Sequence, residues 1–77
     1  MDGRKQYYRT RKRLIMQTLY AERLTEKTGI YKGLKKTILR DKNGNVVGTY
    51  PAGISQPSKL AKTIVFNCWK YNLNWIN

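Results

Sequence analysis

The chain has no histidine and one cysteine, Cys68. An internal disulfide is therefore excluded, and so is a metal site built on histidine or on several thiolates. Only four of the 77 residues are acidic, and none pairs with another at a spacing suited to acid–base work. With imidazole missing as well, the sequence supports no enzyme and implies no cofactor. Long apolar runs are also missing. No stretch approaches the roughly 18 apolar residues of a spanning helix, and the charged N-terminus lacks the apolar core of a secretory signal. Membrane contact is not the expected mode. The expectation is a cytoplasmic protein with Cys68 as a small core residue kept reduced.

The shortage of acids leaves a large excess of base: sixteen lysines and arginines against four acids give a formal charge of +12. A chain so charged is expected to meet an anionic partner, with nucleic acid first. At 77 residues there is room for one domain, whose small core is marginal without help. Disulfides and metals being excluded, oligomerisation or a protein partner remains as that help.

Residues 1–13 form a basic arm, MDGRKQYYRTRKR, distinct from a compact domain over 14–77. Arg4, Lys5, Arg9, Arg11, Lys12 and Arg13 are candidate phosphate contacts, because the guanidinium fork matches phosphate oxygens. Tyr7 and Tyr8 are candidates for stacking on bases or sugars. A solvated, frayed tail is the competing reading of such a run. Leu14 to Lys27 carries Ile15, Met16, Leu19, Tyr20 and Leu24 at helical spacing, and Gly29 suits a helix end; if the arm continues this helix, it runs from about Arg4 to Thr28.

Between the helical stretches, residues 36–40 and 46–50 flank Asp41-Lys42-Asn43-Gly44-Asn45, a hairpin signal. Asp first and Gly fourth suit a type I turn followed by a left-handed glycine, with Asn43-Gly44 as a two-residue turn the alternative. The first register sets Leu39 opposite Val47 and Thr37 opposite Thr49, and residues 30–34 are a candidate third strand. Lys32, Lys35, Lys36, Arg40 and Lys42 would extend a phosphate track along this hairpin, with Tyr31 as a further stacking side chain.

The segment 55–77 holds both tryptophans, the phenylalanine and the cysteine. Leu60, Ala61, Ile64, Val65, Cys68, Trp69, Asn72, Leu73 and Ile76 fall at three- and four-residue spacings, which predicts a helix with a wide apolar arc. Leu60, Ile64, Cys68, Trp69, Trp75 and Ile76 are the candidate contacts with a second subunit or another protein. An arc of this width is either wedged inside one chain or shared in a homodimer.

Gly53-Ile54-Ser55-Gln56-Pro57-Ser58 resembles the turn and recognition-helix start of bacterial helix-turn-helix proteins. Lys59 and Lys62 depart from that pattern where it buries apolar residues, and a plain helix cap explains the stretch equally well. Gly29-Ile30-Tyr31 resembles the first tripeptide of GIY-YIG nucleases, but Val47-Gly48-Thr49-Tyr50 does not supply the second motif. Asp41-x-Asn43-x-Asn45 has calcium-loop spacing, yet Val46 and Ala52 stand where that loop needs Gly and Glu.

The expected fold is therefore α+β: helix, β-hairpin, helix (α-β-β-α), with a two- or three-stranded antiparallel sheet packed by two helices. The expected function is nucleic-acid binding by a small regulatory or accessory protein, with DNA slightly ahead of RNA. The alternatives are an adaptor or inhibitor, of viral type among others, that docks on a protein through the C-terminal helix, and a ribosome-associated structural protein.

Overall fold

The computed structural model describes residues 16–77, and no residue among them is helical. Five strands follow in order: β1 (Thr18–Thr25), β2 (Lys35–Arg40), β3 (Val46–Tyr50), β4 (Thr63–Phe66) and β5 (Trp69–Trp75). They form one sheet in the order β3-β2-β1-β5-β4. All neighbours are antiparallel except β1 and β5, which run parallel. The expected α+β architecture is thus replaced by an all-strand fold. No described helix is long and apolar enough to cross a membrane.

Both expected helices become strands for one reason. Trp69–Trp75 also alternates with period two, Thr18–Thr25 sets Leu19 and Ala21 on one buried face, and the aromatic and β-branched residues of both favour a pleated surface. In β5, Trp69, Tyr71, Leu73 and Trp75 share one face while Lys70, Asn72 and Asn74 share the other. Asn67 and Cys68 take φ of 55° and 61°, and this left-handed pair makes the two-residue turn between β4 and β5. Cys68 is accordingly exposed rather than a core residue.

The inner face of the sheet carries the core. Leu19, Ala21, Leu39 and Leu73 are buried together, with Tyr50, Ala61, Ile64, Phe66, Tyr71 and Trp75 packed around them. Each leucine contributes about 1.5–3 kcal/mol by leaving water. The sheet curls until its outermost strands meet through side chains. The Phe66 ring of β4 lies directly on Gly48 of β3, and its centroid stands 6.1 Å from that of Tyr50.

The hairpin of β2 and β3 has the expected turn. Gly44 N–H donates to Asp41 O at 3.0 Å, Asp41 N–H donates to Asn45 O at 2.9 Å, and Gly44 has φ of 86°. Its register differs from the expected one: Thr37 faces Tyr50 and Leu39 faces Gly48, with a bulge before Arg40 and Val46. The bulge absorbs one residue, which returns Tyr50 to the inner face beside Thr37. Residues 30–34 are no third strand. They form a looped connection in which Gly29 and Gly33 take φ of 85° and 89°.

The loop of residues 51–62 crosses the inner face at one end of the sheet. It begins with a turn in which Ile54 N–H donates to Pro51 O at 3.3 Å and Gly53 has φ of 89°, the glycine position of a type II turn. Where a helix-turn-helix start or a helix cap was the sequence reading, Gln56 instead fastens this loop. Its Nε2 donates to the carbonyls of Tyr50, Pro51 and Ile54, and its Oε1 accepts from the buried Thr37 hydroxyl at 2.7 Å. Ser58 caps only a turn, accepting from Leu60 N–H at 3.0 Å.

Candidate functional site

The strand register divides the described cations between the two ends of the sheet. At the end where β1 stops and β2 starts lie Arg23, Lys27, Lys32, Lys35 and Lys36, joined by Lys59 from the crossing loop. Glu22 sits beside Arg23 on β1, and just past the strand comes Glu26. Its carboxylate sits 3.5 Å from Lys36 Nζ, the one ion pair among the described residues. A shallow groove of about 460 Å³ runs here, lined by Arg23, Glu26, Lys27 and Lys36 with Leu24, Thr25 and Thr28.

The loop between β1 and β2 is held open by its own backbone. Glu26 N–H donates to Leu34 O at 2.8 Å and Gly33 N–H donates to Glu26 O at 2.9 Å. Within it, Lys32 N–H and Leu34 N–H close two turns onto Gly29 O and Tyr31 O. The loop therefore presents Lys27, Tyr31 and Lys32 to solvent as a fixed group. The Tyr31 ring rests on Gly53, where an added Cβ would stand 2.8 Å from Cε1, and about half of its surface stays exposed. Lys35 is steadied by donating from Nζ to Thr25 Oγ1 at 2.6 Å.

Arg23 and Lys59 brace this end from inside. Arg23 Nε donates to the Thr37 hydroxyl at 3.1 Å, and its Nη2 donates to Pro57 O. The guanidinium lies 4.7 Å from the centroid of Trp75, and Lys59 Nζ lies 5.5 Å from the same centroid. Trp75 Nε1 donates to Ala61 O at 3.3 Å. The Asn77 side chain exchanges two hydrogen bonds with the Arg23 backbone, at 3.0 and 2.8 Å. Each cation above the ring gains about 0.5–2 kcal/mol from its quadrupole.

The sequence candidates fall into separate groups. Tyr31, Lys32, Lys35 and Lys36 come together as expected. Arg40 and Lys42 belong to the other end of β2, about 17 Å away at the rise of a strand. The chain enters the sheet at that second end, since Gln17 O accepts from Asn72 N–H at 2.9 Å. Arg4, Lys5, Tyr7, Tyr8, Arg9, Arg11, Lys12 and Arg13 lie outside the described residues.

The expected partner face of the last segment does not exist as one surface. Ile64 and Trp75 point into the core, Leu60 stands 86% exposed in a turn, Cys68 sits in the β4–β5 turn, and Trp69 and Ile76 lie at opposite ends of β5. A helical wheel united them; alternate strand positions separate them. Sequence reasoning missed Arg23, Lys27 and Lys59. Lys27 was visible as the cation just before the Gly29 loop. Arg23 and Lys59 gave no local signal, because only the sheet brings them to Trp75.

At the other end, Asp41 serves its turn. Its carboxylate accepts from Asn45 N–H at 3.0 Å and Asn43 N–H at 2.8 Å. These bonds, the one from Asn45 foremost, hold the carboxyl below its ordinary value. Among the described residues no cluster of acids or thiols is placed to hold a metal ion. Comparison with protein-family models, curated proteins and solved structures finds no match to this chain.

Proposed function

We propose that this chain is a small nucleic-acid-binding protein of regulatory or accessory type. The observation that carries the reading is that the β1–β2 loop and the start of β2 bring the exposed Lys27, Lys32 and Lys35 and the half-exposed Tyr31 to one end of the sheet, where Glu26 is paired to Lys36. Lysines exposed at one end of a sheet can meet neighbouring phosphates, and a braced aromatic ring offers a face to a base or sugar. Lys36 lines the groove at this end. Arg40 and Lys42 add cations at the other end of β2, and the lysines and arginines of residues 1–13 supply further charge for phosphate contact. DNA and RNA are both suited to such contacts, because phosphate and an aromatic platform serve either.

Association of this kind releases counterions and weakens as salt rises. Titration of labelled single- and double-stranded DNA and RNA oligonucleotides should show affinity falling by at least about tenfold between roughly 50 and 200 mM salt. An affinity that stays flat across that range, or no binding to any of the four, contradicts the reading.

A further inference from the structure

The two outermost strands of the sheet leave a gap. Among the described residues β3 bonds only to β2 and β4 only to β5. No Cα of β3 lies within 8 Å of one in β4, although the Phe66 ring reaches across to Gly48. Paired strands run about 4.8 Å apart, so the gap is too wide for direct pairing, while the Phe66 ring keeps its walls within the reach of one side chain at Gly48.

The walls of this gap are ready to bond. Leu73 N–H donates to Lys62 O, which fixes the alternation along β4 and leaves Thr63 and Val65 aiming their N–H and C=O groups away from β5. On β3, Thr37 opposite Tyr50 and Leu39 opposite Gly48 are the bonded pairs, so Thr49 aims outward. Edge strands are ordinarily protected by charge or proline. Val46–Tyr50 and Thr63–Phe66 contain neither, in a chain of which 26% is charged. Val46, Val47 and Val65 are also exposed, by 56%, 43% and 67%. Cations stand at the margins: Lys62 at the start of β4, Lys70 directly across from Val65, and Arg40 directly across from Val46.

We propose that the gap between β3 and β4 receives an extended polypeptide segment of another protein, uncharged in its middle and acidic at its ends, which adds as a sixth strand. The main-chain groups of Thr49, Thr63 and Val65 call for an extended backbone. The valines call for apolar or β-branched side chains on the outer face. Lys62 and Lys70, in a chain of charge +12, select acidic flanks and disfavour a second copy of this equally basic chain. Phe66 lies on the inner face beneath the incoming strand, so the residue above it must be small. This surface is separate from the loop that carries Tyr31 and Lys32, and the inference stands independently of nucleic-acid binding.

The test uses the full chain, labelled for amide resonances, with the blocked synthetic peptide Glu-Val-Thr-Val-Ser-Val-Thr-Val-Glu. The amides of Thr49, Thr63 and Val65 should shift and exchange more slowly, and a peptide with lysine at both ends should bind at least about tenfold more weakly. A peptide N-methylated at alternate residues should lose binding, which reads the main-chain bonds without altering the protein. Val65→Pro, which removes one outward N–H while leaving the bonds to β5, should weaken binding by roughly tenfold. Saturating peptide that leaves these amides unmoved, equal binding of the lysine-ended peptide, or a dimer by light scattering whose edges are already protected would each overturn the proposal.

Discussion

The Thr37 hydroxyl donates to Gln56 Oε1 at 2.7 Å, tying the middle of the sheet to the loop that crosses it. The same oxygen accepts from Arg23 Nε at 3.1 Å, and Thr37 has no exposed surface. A buried hydroxyl that both gives and receives stabilises more than its volume implies, because its removal leaves two polar partners unsatisfied. Thr37→Val should therefore cost about 1–3 kcal/mol in denaturant unfolding despite its matched shape. In a double-mutant cycle with Gln56→Ala the two losses should be less than additive, since both break one connection. Additive losses would show that the two residues act separately.

Gly48 supplies the space that Phe66 fills. A Cβ at this position would enter the ring. Gly48→Ala should destabilise the sheet by about 1–3 kcal/mol, as overpacking does. Adding Phe66→Leu should recover part of the loss, because the shorter side chain vacates the place of the new methyl. Calorimetric midpoints of the single and double variants measure this directly, and a double variant no more stable than Gly48→Ala would refute the contact as the cause.

Asp41 links the β2–β3 turn to pH. Its carboxyl is held below the ordinary value in the folded chain, chiefly by the N–H of Asn45. A group depressed on folding contributes stability above its unfolded pKa and loses it as pH falls through the folded one. Asp41→Ala should be less stable than the parent near neutral pH, and the difference should shrink steadily below about pH 4. A difference that persists unchanged at pH 2 would mean that the side chain acts without its charge.

The sequence made the central hairpin legible because Asp41 and Gly44 act locally, through bonds that span only a few residues. It misled for Thr18–Thr25, whose Leu19 and Ala21 share one buried face, and for Trp69–Trp75, where the same apolar residues satisfy both a helical and an alternating template. Trp69-Lys70-Tyr71-Asn72-Leu73-Asn74-Trp75 alternates strictly, and its aromatic content should have decided for a strand. The β4–β5 turn was hidden because Asn67-Cys68 lacks the glycine that marks such turns. Of the site, Tyr31, Lys32, Lys35 and Lys36 could be read from their closeness in sequence. Arg23, Lys59 and Trp75 meet only through the parallel pairing of β1 with β5, a long-range relation that no local pattern records.

Two variants of equal charge loss put the proposed interface to its most direct test. One replaces Lys27 and Lys32 by alanine; the other replaces Lys62 and Lys70, which are also exposed but lie outside the β1–β2 loop. Oligonucleotide affinity at fixed salt should fall several-fold further in the first than in the second, and Tyr31→Ala should weaken binding again by a stacking contribution of about 1–3 kcal/mol. Equal losses in the two double variants, with Tyr31→Ala silent, would show that only total charge matters and would contradict an interface at the β1–β2 loop.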